Sequence, residues 1–356
     1  MSAIVIPKAE GRGAGLGNEM MVWAKSFLGA QAIGGKSKPP AFGLNVRPYY
    51  RYFKTPRYDW LLYRALARLN PPANTFTQKA FLEHYDPDFG IAFKNWYESL
   101  GRHPRVTFVE GLWGGYNAIW RARHFLMGKL LSTPYTAENI AAKLPPSSAK
   151  TPLRIGVHLR TGDFDAMLLE HDKVRWNRRL PVGWYQGAMR ACVKAFGPDF
   201  QFVMVTDATP QEAAPFLDEF HPVTTFDQQN TVISDMVLLS TCDVVIPSLS
   251  SFTFAALMLG EPFYIWPLEH PVKKDGWMAL WGDRPDVDAA NIMAAEEHRQ
   301  LHLNAPQPLK SRCLYYEDGA ELPRTFVDLV CDRHERKQPF TDPMRNGVAR
   351  IGAEYR

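Results

Sequence analysis

The polar residues best suited to chemistry in this chain stand at the ends of short apolar runs. Arg160, Thr161, Gly162 and Asp163 follow Leu153–Leu159, and Asp207 follows Phe202–Thr206. Asp227 follows Val223–Phe226, and Ser248, Leu249, Ser250 and Ser251 follow Val244–Pro247. A guanidinium clamps two oxygens of a phosphate and keeps its charge at any working pH. When a sugar–diphosphate bond breaks, negative charge builds on the distal phosphate, and Arg160 is the residue type that stabilises it. Ser250 and Ser251 precede an apolar helical pattern, where the amides and dipole of a helix start attract phosphate. Each of these residues also has a plainer role: the serines as helix N-caps, Arg160 in an ion pair with Asp163.

Chain topology has to bring these residues together. Between the apolar runs of the second half lie helical patterns at Gly183–Phe196, Pro210–Phe220, Thr231–Thr241 and Ser251–Leu259. Strands alternating with helices predict a parallel sheet covered on both faces, a doubly wound nucleotide-binding domain over residues 151–270. In such a sheet ligands sit at the carboxyl ends of the strands, which is where the arginine, the carboxylates and the serines fall. Residues 1–150 read as a separate α/β domain on the acceptor side. It opens with a strand at Ala3–Pro7, a glycine-rich turn at Gly11–Gly17 and a helical pattern from Asn18. Pro145–Pro152 has linker composition. Residues 271–356 form an irregular tail with one helix near Leu322–Asp332, expected to pack back across the domains.

Several motifs do not carry through. Ala30–Ser37 satisfies a relaxed phosphate-loop pattern, but a helix precedes it and Lys38-Pro39-Pro40 stops a helix from following. The glycines of Gly11–Gly17 never form G-x-G-x-x-G in register, which argues against a dehydrogenase. Three D-x-D triplets occur, at Asp86/Asp88, Asp163/Asp165 and Asp286/Asp288. Such triplets can hold a divalent cation under a diphosphate but arise readily by chance, and a metal-dependent transferase built around Asp163/Asp165 stays as an alternative reading.

Composition narrows the class. The chain has 356 residues, 46% hydrophobic and 22% charged, ordinary values for a two-domain globular protein. A net charge of +4 has no dense basic arm behind it, the tightest run being Lys173–Arg179, and nucleic acid is not expected as a partner. The four cysteines Cys192, Cys242, Cys313 and Cys331 stand far apart, without a zinc or disulfide spacing. No run approaches a transmembrane length or a signal-peptide pattern, and a cytoplasmic location is expected.

Together these elements resemble the fucosyltransferases that transfer from GDP-fucose, most closely the bacterial α-1,2 type, with wider similarity to the α-1,6 and protein O-fucosyltransferases. Gly15-Leu16-Gly17-Asn18-Glu19-Met20 is similar to their N-terminal Gly-Leu-Gly-Asn-Gln-Met turn, and Ile155–Asp163 (IGVHLRTGD) resembles their His-x-Arg-Arg-x-Asp element. Phe202–Asp207 matches their strand ending in Ser-Asp, and Asp235–Phe252 follows their Asp…Cys…Ser-(Ser/Thr)-Phe element. The resemblance implies a GT-B-like fold, two Rossmann-type domains facing across a cleft, and inverting, metal-independent transfer of L-fucose to a glycan hydroxyl. It implies no cofactor besides the GDP-fucose donor. It assigns Arg160 to the β-phosphate, and His158 and Asp235 to the guanine. Asp207, Ser250, Ser251 and Phe252 fall around the nucleotide, and Gly15, Gly17 and Asn18 at the cleft. Asn18, Arg160 and Asp163 are the catalytic candidates. The general base is open among Glu19, Asp163, Asp86 and Glu110.

Two positions depart from the pattern. Thr161 replaces a second arginine and Glu19 replaces a glutamine. The first change sustains two other readings: a GT-B transferase with a different nucleotide sugar, or a nucleotide-sugar-binding protein that has lost catalysis.

Overall fold

The computed structural model describes residues 2–8, 14–86, 88–111, 115–144, 152–162, 165–166, 178–267 and 310–336. Two compact units emerge, and the chain passes from one to the other between Lys129 and Leu130.

The first unit has the order β1 (Ile4–Pro7), α1 (Leu16–Ala32), β2 (Lys36–Ser37), α2 (Tyr49–Tyr52), α3 (Asp59–Leu69), β3 (Thr75–Phe76), α4 (Gln78–Glu83), α5 (Phe89–Ser99), β4 (Val106–Val109), α6 (Gly115–Ala118) and α7 (Arg123–Leu131). Its sheet is parallel, ordered β2-β1-β4-β3. Helix α1 is almost wholly buried, from Leu16 to Ala30, because it packs on both β1 and α5. The relaxed phosphate-loop sequence is the turn out of α1 into β2, with Gly34 at φ +64°, a left-handed position that favours glycine.

The second unit contains α8 (Thr136–Lys143), β5 (Leu153–Leu159), the short pair β6 (Asp165–Ala166) and β7 (Arg178–Arg179), α9 (Val182–Phe196), β8 (Phe200–Thr206), α10 (Pro210–Phe220), β9 (Val223–Thr224), α11 (Val232–Ser240), β10 (Val244–Ile246), α12 (Ser251–Gly260), β11 (Phe263–Pro267), β12 (Cys313–Tyr316) and α13 (Arg324–Arg336). Six strands form one parallel sheet in the spatial order β12-β11-β10-β5-β8-β9. Counted along the chain from β5, this is the order 3-2-1-4-5-6 of the dinucleotide-binding fold. The chain winds outward from β5 through β8 to β9, returns along α11, and winds the other way from β10. The switch point lies between β5 and β10.

All seven residues of β5 are buried, as a central parallel strand requires. Helix α11 packs close against it: a Cβ at Gly156 would stand 2.7 Å from Leu239 Cδ1 and 2.9 Å from Cys242 Sγ. Glycine is therefore what permits that approach.

One expectation about organisation needs correction. The unit boundary falls before α8, not at residue 150. Asn139 Nδ2 on α8 donates to Ser234 Oγ at 3.1 Å and to the Gln229 carbonyl at 3.2 Å, so this helix packs on the start of α11. In the tail, Lys310–Arg336 belongs to the second unit. Strand β12 extends the sheet by pairing with β11, and Phe326 of α13 packs on Phe263. Most of the linker and the remainder of the tail lie outside the described residues.

Candidate nucleotide site at the switch point

Strands β5 and β10 are adjacent, parallel and in register, with Val157 opposite Ile246. The residues that follow them therefore emerge side by side on one edge of the sheet: Arg160 from β5, and Ser248 to Ser251 leading into α12 from β10. This is the crevice that a doubly wound sheet offers a ligand.

A buried polar cluster builds the floor of this edge. His158 Nδ1 is hydrogen-bonded to Ser248 Oγ at 2.8 Å and to the Thr253 hydroxyl. Ser248 Oγ donates to Ser250 Oγ at 3.1 Å. Burial, and then the charge of Arg160, push the His158 pKa down to about 3, so the ring is neutral at any working pH. Ser250 is the N-cap of α12, its hydroxyl accepting the Thr253 amide at 3.3 Å. The plainer role therefore accounts for this serine, and the histidine holds the serine loop against β5. Phe252 packs over His158, with ring centroids 5.0 Å apart. Ser251 and Phe252 open α12 and keep partial exposure, in the first turn where amides have no intrahelical acceptor.

Two residues absent from the expected set complete this edge. Thr253 is fully buried and tied to both His158 and Ser248. Its place three residues after Ser250, at the position whose amide the cap satisfies, is a signal that could have found it. Tyr185 of α9 had no such signal. Its hydroxyl lies 3.2 Å from the carbonyls of both His158 and Pro247, spanning the ends of β5 and β10 where the switch point parts them.

On the other side of β5, Asp207 follows β8. Its Oδ1 accepts the Thr161 amide at 2.7 Å, and its Oδ2 stands 3.9 Å from Arg160 Nε. Arg160 is thus flanked by Asp207; its expected partner Asp163 lies outside the described residues. The arginine side chain keeps 18% exposure at this rim. Asp227 has no part here. Strand β9 ends at Thr224, and Asp227 is an exposed residue paired with Lys143.

Asp235 occupies the first turn of α11, the helix that leaves the same edge after β9. Burial raises its pKa to about 6, against hydrogen bonds from the Thr231 and Thr225 side chains. Only 6% of Asp235 is exposed, and its Oδ1 has no hydrogen-bond partner. A buried carboxylate oxygen without a donor costs stability and calls for an explanation.

In the first unit, Gly15 is the N-cap of α1 and has no side chain to cap with. Asn18 is not the cap. It lies at the third helical position, and its buried Oδ1 has no hydrogen-bond partner. Gly17 is buried, with its carbonyl accepting the Tyr116 hydroxyl at 3.2 Å. Arg47 and Asn45, from the loop between β2 and α2, flank this turn. Asn45 Nδ2 donates to Glu19 Oε1 at 2.8 Å, and Arg47 Nη1 would lie 3.7 Å from a Cβ at Gly15.

Glu19 is buried and engaged, Glu110 pairs with Lys8, and Asp86 accepts the Asp88 amide at 2.7 Å. Of the D-x-D triplets, Asp86/Asp88 is a helix cap, Asp88 accepting the Gly90 amide at 2.8 Å. Asp163 and Asp286/Asp288 lie outside the described residues, as does the side chain of Asp165.

No protein-family model matches the chain, and no curated protein matches it. Among solved structures the chain is similar to POFUT1, a protein O-fucosyltransferase. The apo form shares 11% identity at a TM-score of 0.41, over 73% of this chain and 95% of that one. A POFUT1 complex with GDP-fucose shares 10% identity at a TM-score of 0.38, over 73% and 94%.

Proposed function

We propose that the chain is an inverting glycosyltransferase that takes L-fucose from GDP-fucose and passes it to a glycan hydroxyl. The observation that carries this reading is that Arg160 and the loop into α12 follow adjacent parallel strands at the β5/β10 switch point. A guanidinium beside a helix start is an arrangement for a diphosphate, not for a neutral ligand. The resemblance of four sequence elements to GDP-fucose-dependent transferases supplies the donor.

In this reading the acceptor oxygen attacks the anomeric carbon as the bond from that carbon to the β-phosphate oxygen breaks. GDP leaves with the bonding pair, and the acceptor proton passes to a base. Arg160 stabilises the charge that grows on the leaving β-phosphate. Asp207 accepts the Thr161 amide and so fixes the backbone from which Arg160 projects. The unpartnered Oδ1 of Asp235 supports guanine as the base. A carboxylate accepts from the guanine N1–H and amino group together, whereas adenine has no N1–H and offers only an amino donor on that edge. His158, Ser248 and Thr253 hold the loop that starts α12, and Ser251 and Phe252 carry its first-turn amides. Within the first unit, the buried Oδ1 of Asn18 has no hydrogen-bond partner and is offered to the ligand in this reading.

Calorimetry with GDP, UDP and ADP tests the donor. GDP should bind at least about tenfold more tightly than the other two, since a missing partner for a buried acceptor costs more than 1 kcal/mol. Equal affinities would remove GDP-fucose as the donor and leave a transferase for another nucleotide sugar. GDP-fucose hydrolysis without acceptor tests catalysis, and binding without any turnover would identify a catalytically lost binding protein.

A further inference from the structure

We propose that the first unit docks onto an anionic lipid bilayer through the outward face of α3 and the loop before it. The twenty residues Tyr50–Leu69 hold five cations, Arg51, Lys54, Arg57, Arg64 and Arg68, against one acid, Asp59, a net charge equal to the +4 of the entire chain. All five cations are exposed. Among the described residues no carboxylate pairs with them. The acid turns inward, Asp59 Oδ1 accepting the Gly43 amide at 3.3 Å. The surface presented outward is therefore more basic than the net charge conveys.

That surface is also apolar. Leu61, Ala65 and Leu69 repeat at the i, i+4, i+8 spacing of one helix face, with Leu62 beside them. Exposure reaches 53% at Leu61, 61% at Leu62 and 82% at Leu69, and Tyr58 just before the helix is 68% exposed. Arg64 and Arg68 form the adjacent stripe, the guanidinium of Arg64 lying 4.8 Å from the Trp60 ring centre. The helix is anchored by its other side, where Tyr63 packs edge-on to Phe108.

A solvated helix turns its leucines inward and its charges outward. Here both point outward on adjacent stripes, the pattern of a helix lying in a lipid interface with acyl chains under the leucines and headgroups at the arginines. Phosphodiester polymers would match the arginines but leave the leucines in water. No helix among the described residues is long and apolar enough to span a membrane, so the contact would be peripheral.

Vesicle flotation of the full chain tests this. Vesicles with about 30% phosphatidylserine should retain the protein at low salt, and retention should fall as salt rises. Leu61→Gln with Leu62→Gln, and separately Arg64→Gln with Arg68→Gln, should each weaken partitioning about tenfold or more. These positions are exposed, so the thermal transition and its response to GDP should be unchanged. Equal retention on neutral phosphatidylcholine vesicles, or no retention on either, would overturn the proposal. So would heparin binding that survives the leucine changes without any vesicle binding, which would mark a polyanion site. A dimer abolished by the leucine pair would assign the face to a second copy of the chain.

Discussion

At the scale of single residues the two charged groups at the sheet edge differ in what they cost the fold. Arg160 keeps part of its surface in solvent and contributes through its charge and the planar fork of its guanidinium. Arg160→Ala should lower kcat by about three orders of magnitude with a smaller change in KM, because the interaction strengthens as the phosphate gains charge. Arg160→Lys should restore only part of the rate, since an ammonium cannot grip two oxygens in one plane. Steady-state kinetics on the two variants checks both. Asp235 is different. Burial raises its pKa to about 6, so its charged form weakens the fold. With the folded pKa above the unfolded one, the penalty is absent below about pH 4, grows through pH 6, and is complete above it. Asp235→Asn should stabilise the ligand-free protein at pH 8 by roughly 2–3 kcal/mol, with the gain vanishing at pH 4. The same variant should bind GDP at least about tenfold more weakly. Denaturant melts across that pH range and calorimetry would show the opposite signs that a ligand-binding carboxylate must have, whereas a merely structural aspartate would lose stability and leave GDP affinity alone.

The elements matter because they present these residues on one edge. Ser250 caps α12, so Ser250→Ala should cost about 1 kcal/mol of stability. It should also loosen the Ser248–His158–Thr253 cluster and weaken nucleotide binding. Tyr185→Phe removes the hydroxyl that joins the ends of β5 and β10, and should cost about 1 kcal/mol in urea denaturation without altering the m-value. The strands and helices around these residues are readable from periodicity: β5 and α10 have the bounds that their apolar patterns predict. Where reading failed, the pattern was interrupted or short. The pattern over Tyr116–Leu131 predicts one helix, and the structure has α6, a turn of 3-10 helix at Trp120–Ala122, and α7. Strand β12 lies in a charged tail and is held by pairing with β11, a contact that no local window contains.

At the scale of the molecule, nucleotide binding should raise apparent stability. Ligand at a hundred times its dissociation constant adds about 2.7 kcal/mol, so a thermal-shift series with GDP, UDP and ADP ranks the donors directly. The sequence by itself determined the α/β class, the parallel strands of the second unit and the placement of Arg160, Asp207, Ser250 and Ser251 after strand ends. Those follow from local periodicity and from the rule that a parallel sheet delivers its loops to one edge. Only the tertiary structure decided that β5 and β10 are neighbours, because strand order depends on the return path of α11 and not on any residue of either strand. It alone separated His158 Nδ1 and Ser250 Oγ, which are both spent on Ser248 and Thr253, from Asp235, whose buried Oδ1 is left without a donor. It alone also left Leu61, Leu62 and Leu69 exposed beside Arg64 and Arg68 on the outward side of α3. Spread at helical spacing among aromatic and apolar residues, they form no run along the chain, and they converge only once α3 is wound and its one acid is turned inward.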